Sequence, residues 1–291
     1  ILLERNPEAA RSALKNALGC LKLPFPWSGA RVGDPWLVRT LASLSEADME
    51  GLEADLDAFL ADRVLDVRTA EECELHVAAA LEVSRARLRR GARQEAMVGL
   101  SRELERSRAF AHQGSLADLV LELAYVASDL GEHDEAERAL REIRGHEDPE
   151  VRARGRLAVG RIAVLRHERW AEENLEEAFS LSKEPLVRAR ARLLLAQRYL
   201  LNERLELAQQ ALEQAKTLAE EAGDKVLKAR VCITAGDIAR VCGDMPTAEE
   251  AWRKGRGIAL EAHDEETLLR VLLRRGDLHE AAGAMEESEQ D

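Results

Sequence analysis

A short segment recurs six times along this chain: a turn, Gly-Asp in its plainest form, then a helix that opens on a small residue. The copies start at Gly91, Gly131, His167, Asn202, Gly243 and Gly276; two of them read GEHDEAERAL and GDMPTAEEAW. Their matched alanines are Ala96, Ala136, Ala171, Ala208, Ala248 and Ala281, spaced 40, 35, 37, 40 and 33 residues apart. A period of that length, with a helical pattern on each side of the turn, predicts a helical solenoid. One such helix pair cannot bury its apolar face alone, so stacked neighbours must share a continuous core.

Composition bounds what that core can be. Aromatics are only 3% of the chain, so Leu, Ala and Val must fill the interior. The net charge of −13 argues against a general binder of nucleic acid or anionic membrane. No apolar run reaches the ~18 residues that a membrane-spanning helix needs. Four unclustered cysteines, Cys20, Cys73, Cys232 and Cys242, fit a reducing cytoplasm. Arginine outnumbers lysine five to one, a codon bias pointing to a GC-rich bacterial source. Residue 1 is Ile and no basic-then-apolar leader follows it, as expected of a segment cut from a longer chain.

Residues 1–68 stand outside the repeat and are expected to form a helical cap. It contains a Pro/Gly-rich loop over 22–35, beside which Phe25, Trp27 and Trp36 gather as a possible secondary contact for a partner. Helix starts are marked by Asn6-Pro7, by Ser45 with Asp48, Thr69 with Glu72 and Ser115 with Asp118, and by Asp148-Pro149 and Glu184-Pro185. Asp244 and Asp277, next to turn glycines, can cap second helices. Six hairpins then fill 69–285, and the acidic tail 286–291 is expected to be disordered.

The repeat resembles the tetratricopeptide repeat (TPR). CysIleThrAlaGlyAspIleAla puts Gly236 at the small first-helix position, followed by the Gly243-Asp244 turn, Ala248 and Trp252. Ala196, Tyr199, Ala208, Leu212 and Ala215 make a second match, the unit with Gly160, Ala171, Leu175 and Ala178 a third, and that with Ala124, Ala127, Gly131, Ala136 and Leu140 a fourth. Ser84 and Leu269 depart from the small slot, and several units exceed 34 residues, like the longer variety found in regulators and adaptor proteins. The resemblance implies an all-α fold, a right-handed α-solenoid of antiparallel helix pairs whose first helices line a concave groove.

Charge divides between the two helices of each unit. The first helices expected over 151–166, 186–201 and 225–241 carry 13 basic residues against Asp237 alone, whereas 170–182 carries four glutamates and no base. The resemblance makes this an acidic body with a basic inner stripe. Equivalent first-helix sites hold Arg154, Arg190 and Arg230; a second column runs Arg85, Tyr125, Arg161, Gln197 and Asp237, with Arg240 nearby. Guanidinium groups suit carboxylates through two-pronged hydrogen bonds. The family's clamp for chaperone C-terminal peptides is absent, because Leu121, Tyr125, Ala158, Arg190 and Leu194 occupy its positions.

No phosphate loop, HExxH, GxSxG or Cys/His cluster occurs, so no catalytic residue, metal site or cofactor is expected. Gly255-Arg256-Gly257 lies within a second helix and reflects close packing. The leading expectation is a cytoplasmic, non-catalytic scaffold that binds an acidic protein segment in the basic groove. The runner-up is the sensor or regulatory arm of a larger bacterial signalling protein, a transcriptional activator or kinase, with a linked effector domain. RNA binding comes third, handicapped by net charge and a lack of stacking aromatics.

Overall fold

A computed structural model describes residues 91–108, 113–262, 264 and 267–274, with isolated helical positions between 77 and 88. The expected cap over 1–68 with Phe25, Trp27 and Trp36, the Thr69 box, the Gly276 turn with Asp277, and the tail lie outside them. The chain divides between Ile143 and Arg144 into two compact units. The first contains α1 (Arg93–Ser107), α2 (Gln113–Asp129) and α3 (His133–Leu140), which runs on into a 3-10 turn over Arg141–Ile143. In the second, α4 (Pro149–Leu165) pairs with α5 (Ala171–Leu181), α6 (Pro185–Leu201) with α7 (Leu205–Ala222), and α8 (Lys225–Val241) with α9 (Met245–Glu261). Every element among the described residues is helical.

The recurring turn has one hydrogen-bond pattern throughout. Gly91, Gly131, His167, Glu203 and Gly243 all have positive φ, between 57° and 82°. The following amides, of Ala92, Glu132, Glu168, Arg204 and Asp244, each donate to the carbonyl five residues back at 2.8–2.9 Å. The positive-φ residue itself donates three residues back. This double bond is the Schellman motif, which satisfies carbonyls orphaned at a helix end and turns the chain sharply. Glycine is favoured there because a Cβ penalises left-handed backbone. In the fourth copy the positive φ falls on Glu203, one residue beyond the expected Asn202.

Caps set the other ends. Asp148 accepts from the Glu150 amide at 2.8 Å with Pro149 at the first helical position, and Asp244 accepts from Thr247 at 3.2 Å. Asp224, which sequence reading did not single out, accepts from the Leu227 amide at 2.7 Å to start α8. Glu184 precedes Pro185 without a side-chain cap. The Ser115 box is corrected: α2 already begins at Gln113, so Ser115 lies within its first turn.

In the second unit the three hairpins stack as an α-solenoid. First helix touches first helix, α4 to α6 and α6 to α8, while no comparable contact links α5 to α7 or α7 to α9. Alanine and leucine dominate the shared core, with Ala189, Leu195, Ala196, Ala208 and Ala215 each fully buried. Within hairpins, small meets large. A Cβ on Gly160 would come within 2.6 Å of Leu175 Cδ2, and one on Gly236 would collide with the Trp252 indole. That indole is itself anchored, its Nε1 donating to the Ile233 carbonyl at 3.2 Å.

Two substitutions on neighbouring helices should therefore have opposite signs. Gly236→Ala overpacks and should lower stability by roughly 1–3 kcal/mol. Gly257→Ala, where nothing lies within 4 Å, gains helix propensity and should raise stability by up to about 1 kcal/mol. Urea denaturation followed by circular dichroism separates the two.

Candidate functional site

The expected site residues fall in both units. Arg85 is exposed on the helical segment before Gly91, and Tyr125 is partly exposed on α2. The other seven belong to the second unit. Arg154, Arg190 and Arg230 stand on the successive first helices α4, α6 and α8, each half-buried. Arg161 shares α4, Gln197 lies on α6, and Asp237 and Arg240 lie on α8.

Several of these residues reach the next first helix. The Gln197 amide nitrogen donates to Thr234 Oγ1 at 3.2 Å, from α6 to α8. Arg230 Nε donates to Thr267 Oγ1 at 3.3 Å, and Arg274 Nε donates to Asp237 Oδ1 at 3.1 Å. Each of the three contacts spans 37 residues, the repeat length, so they form a polar ladder between equivalent helices. Arg190 sits 3.9 Å from the Asp224 carboxylate, a long and partly exposed pair. Burial pushes the Asp237 carboxyl above its ordinary 3.8, while Arg274 and Arg240 pull it back.

The broad basic stripe needs correcting, because several of its arginines serve the hairpins instead. Arg156 of α4 pairs with Glu177 of α5 at 2.9 Å and donates to Asn174 Oδ1 at 3.0 Å. From the other side, Arg192 of α6 pairs with Glu176 at 2.7 Å and lies over the Phe179 ring, 3.7 Å from its centroid. Arg188 stacks on the same ring at 4.5 Å. Two of the α5 glutamates are thus tied to first helices, Glu177 to α4 and Glu176 to α6.

Arg198 departs further. It is buried at 6% exposure, and its Nε has no hydrogen-bond partner among the described residues. Alignment on the small residues Gly160, Ala196 and Gly236 puts Arg198 in the column of Ile162 and Ile238, both buried. That register was the signal that could have found it.

Of the lone GxG, Gly255 is the packing residue: a Cβ there would meet the Ala229 carbonyl at 3.2 Å and Cys232 Cβ at 3.3 Å, whereas Gly257 faces open space. A cavity of about 300 Å³ opens nearby between α7, α8 and α9, with Val231, Cys232 and Ala235 among its lining. Burial there pushes the Cys232 thiol up, against the pull of Lys254 and Lys216. Among the described residues no group of three or more His, Cys, Asp or Glu is placed to hold a metal ion, and no helix is long and apolar enough to cross a membrane.

No family model and no curated protein matches the sequence. Among solved structures, the chain is similar to BtubC (BKLC) from P. vanneervenii at a TM-score of 0.55 and 16% identity, over 78% of this chain and 92% of that one. A tetratricopeptide repeat protein from Parabacteroides merdae aligns at a TM-score of 0.46 and 14% identity, over 91% of this chain and 99% of that one. The fold is the expected one: all-α, built of TPR-like helix pairs.

Two measurements follow from the buried charges. A carboxyl whose folded pKa lies above its unfolded value destabilises the fold progressively as pH rises between the two. Denaturation midpoints taken upward from pH 3.8 should therefore show an Asp237 contribution that falls with pH, and Asp237→Asn should flatten it. Arg198→Met keeps the volume in the column of Ile162 and Ile238 and removes a buried Nε–H that has no partner, and should raise stability by about 1 kcal/mol.

Proposed function

We propose that this chain is a non-catalytic protein-interaction module that takes an acidic peptide segment along the first helices of its second unit. One observation carries this reading. Arg154, Arg190 and Arg230 recur at matched positions on α4, α6 and α8, and those three helices touch in sequence. A row of guanidinium groups at repeat spacing matches an extended chain bearing carboxylates at intervals, since each can bind one through paired N–H donors. The acidic remainder of the molecule disfavours nucleic acid and repels acidic peptides elsewhere on its surface. Arg161, Gln197 and Arg240 flank the row and would read the peptide's remaining side chains. Asp237 and Arg274, already paired, would select against a basic residue less strongly than a free carboxylate would. Such a module suits the cytoplasm, where the free thiols Cys232 and Cys242 stay reduced.

Fluorescence anisotropy with an extended peptide carrying Glu at every third or fourth position tests the proposal. The wild type should bind it, and binding should weaken as salt is raised. Arg154→Glu/Arg190→Glu/Arg230→Glu should reduce affinity by at least about tenfold, with helical content unchanged. Equal affinity of wild type and triple variant would remove the row from the account.

A further inference from the structure

The cavity of about 300 Å³ between α7, α8 and α9 has a filled counterpart one repeat earlier, where α5 meets α6. Matching Ala171 with Ala208 and Ala196 with Gly236 sets the two junctions in register. Phe179, Arg192 and Leu195 then correspond to Lys216, Cys232 and Ala235, all three of which line the cavity. In the earlier junction the Phe179 ring packs on the core, 4.5 Å from the Arg188 guanidinium and 3.7 Å from that of Arg192. Lys216, by contrast, is 53% exposed and turns to Glu213 of its own helix at 3.8 Å. The later junction thus lacks the ring, and its other two positions have shrunk to a thiol and a methyl group. Interiors otherwise pack close to crystal density, so the space left by these matched losses can take a planar ring.

The walls suit such a ring. Leu212 and Val231 are buried, and Ala251 and Ile258 half-buried, which gives the cavity an apolar lining. Lys228 stands in the column of Arg188, so a cation is kept where the earlier ring meets one. The rim is mixed, with three lysines against Glu213, Glu220 and Glu250, so a count of charges does not choose a sign. The placement of those charges does. Glu213 is engaged by Lys216, and Glu220 and Glu250 are exposed to solvent. Lys254 of α9 replaces the neutral Gln214 of α7, and among the described residues it is paired with no carboxylate. The charges that act on the Cys232 thiol within the cavity are those of Lys254 and Lys216, both positive. An anionic group beside the ring is therefore favoured over a cationic one.

We propose that this cavity binds a small aromatic carboxylate, its ring in the slot that Phe179 fills one repeat earlier and its carboxylate at the Lys254 ammonium. The site uses none of the arginines of the peptide row, so either assignment can fail without the other. Its test is titration of the full chain, followed by ligand-observed NMR, with phenylacetate and 3-phenylpropionate. Each acid is run beside its neutral amide and its cyclohexyl analogue. One of the two acids should saturate a single site, with its amide and cyclohexyl analogue at least about threefold weaker. Ala235→Leu and Lys216→Phe each restore the residue of the earlier junction, and each should abolish saturation with helical content unchanged. Lys254→Gln should weaken the acid by about threefold and leave the amide as it was. Should Ala235→Leu fail to fold, the substitutions at the exposed Lys216 and Lys254 decide the matter alone. Any one of four results overturns the assignment: an amide or cyclohexyl analogue as tight as its acid, wild-type affinity in the refilled variants, an unchanged acid affinity in Lys254→Gln, or no saturation below about 10 mM.

Discussion

Close approach of two helices at one small residue per hairpin is the contact on which the rest of this structure depends. Gly160 and Gly236 give up a side chain so that Leu175 and Trp252 can lie on the opposing helix. Interiors pack like organic crystals, so a single methyl group at such a crossing changes the fit. In an aromatic-poor chain the compensation is numerical. Many alanines, each wholly buried, bring the helices near enough for modest side chains to fill the space between them. Period, turn and core are therefore consequences of the same requirement.

Alternating arginines on one helix serve two purposes, and helical geometry separates them. Residues two apart on a helix point about 200° away from each other at 3.6 residues per turn. On α6, Arg188 and Arg192 turn to Phe179 and the α5 glutamates, while Arg190 between them faces elsewhere, with only a long contact to Asp224. On α4, Arg156 does the same beside Arg154. A count of bases per helix cannot distinguish these sets. The exposed pairs contribute little to stability one by one, roughly 0–1 kcal/mol. Their weight here is positional, since they fix α5 between its two neighbours.

Sequence patterns disclosed the hairpins because turn chemistry and helix period are local. Asp148 and Asp244 were legible as caps for the same reason, each satisfying amides within three residues of itself. What escaped depends on register and on partners far along the chain. The burial of Arg198 follows from its column beside Ile162 and Ile238, which composition cannot reveal. The contacts of Gln197, Arg230 and Asp237 span a whole repeat, and only the stacking of helices brings their partners near. Gly99 belongs to the same class: it looks like an ordinary weak spot in a helix, yet a Cβ there would come within 2.8 Å of Arg87 Nη1 from the preceding helical segment.

The two turns that lack glycine, at His167 and Glu203, hold a left-handed backbone at a penalty of about 1–2 kcal/mol each. Both close hairpins, α4 with α5 and α6 with α7, that share the large apolar cluster of the second unit. The hairpin with the smaller cluster, around Ile233, Ala248, Trp252 and Val271, keeps Gly243. Relaxed turn chemistry thus coincides with surplus packing. At these two bends the packed interior holds the left-handed backbone without glycine's help, and a glycine placed at either would relieve the penalty while leaving the interior behind it untouched.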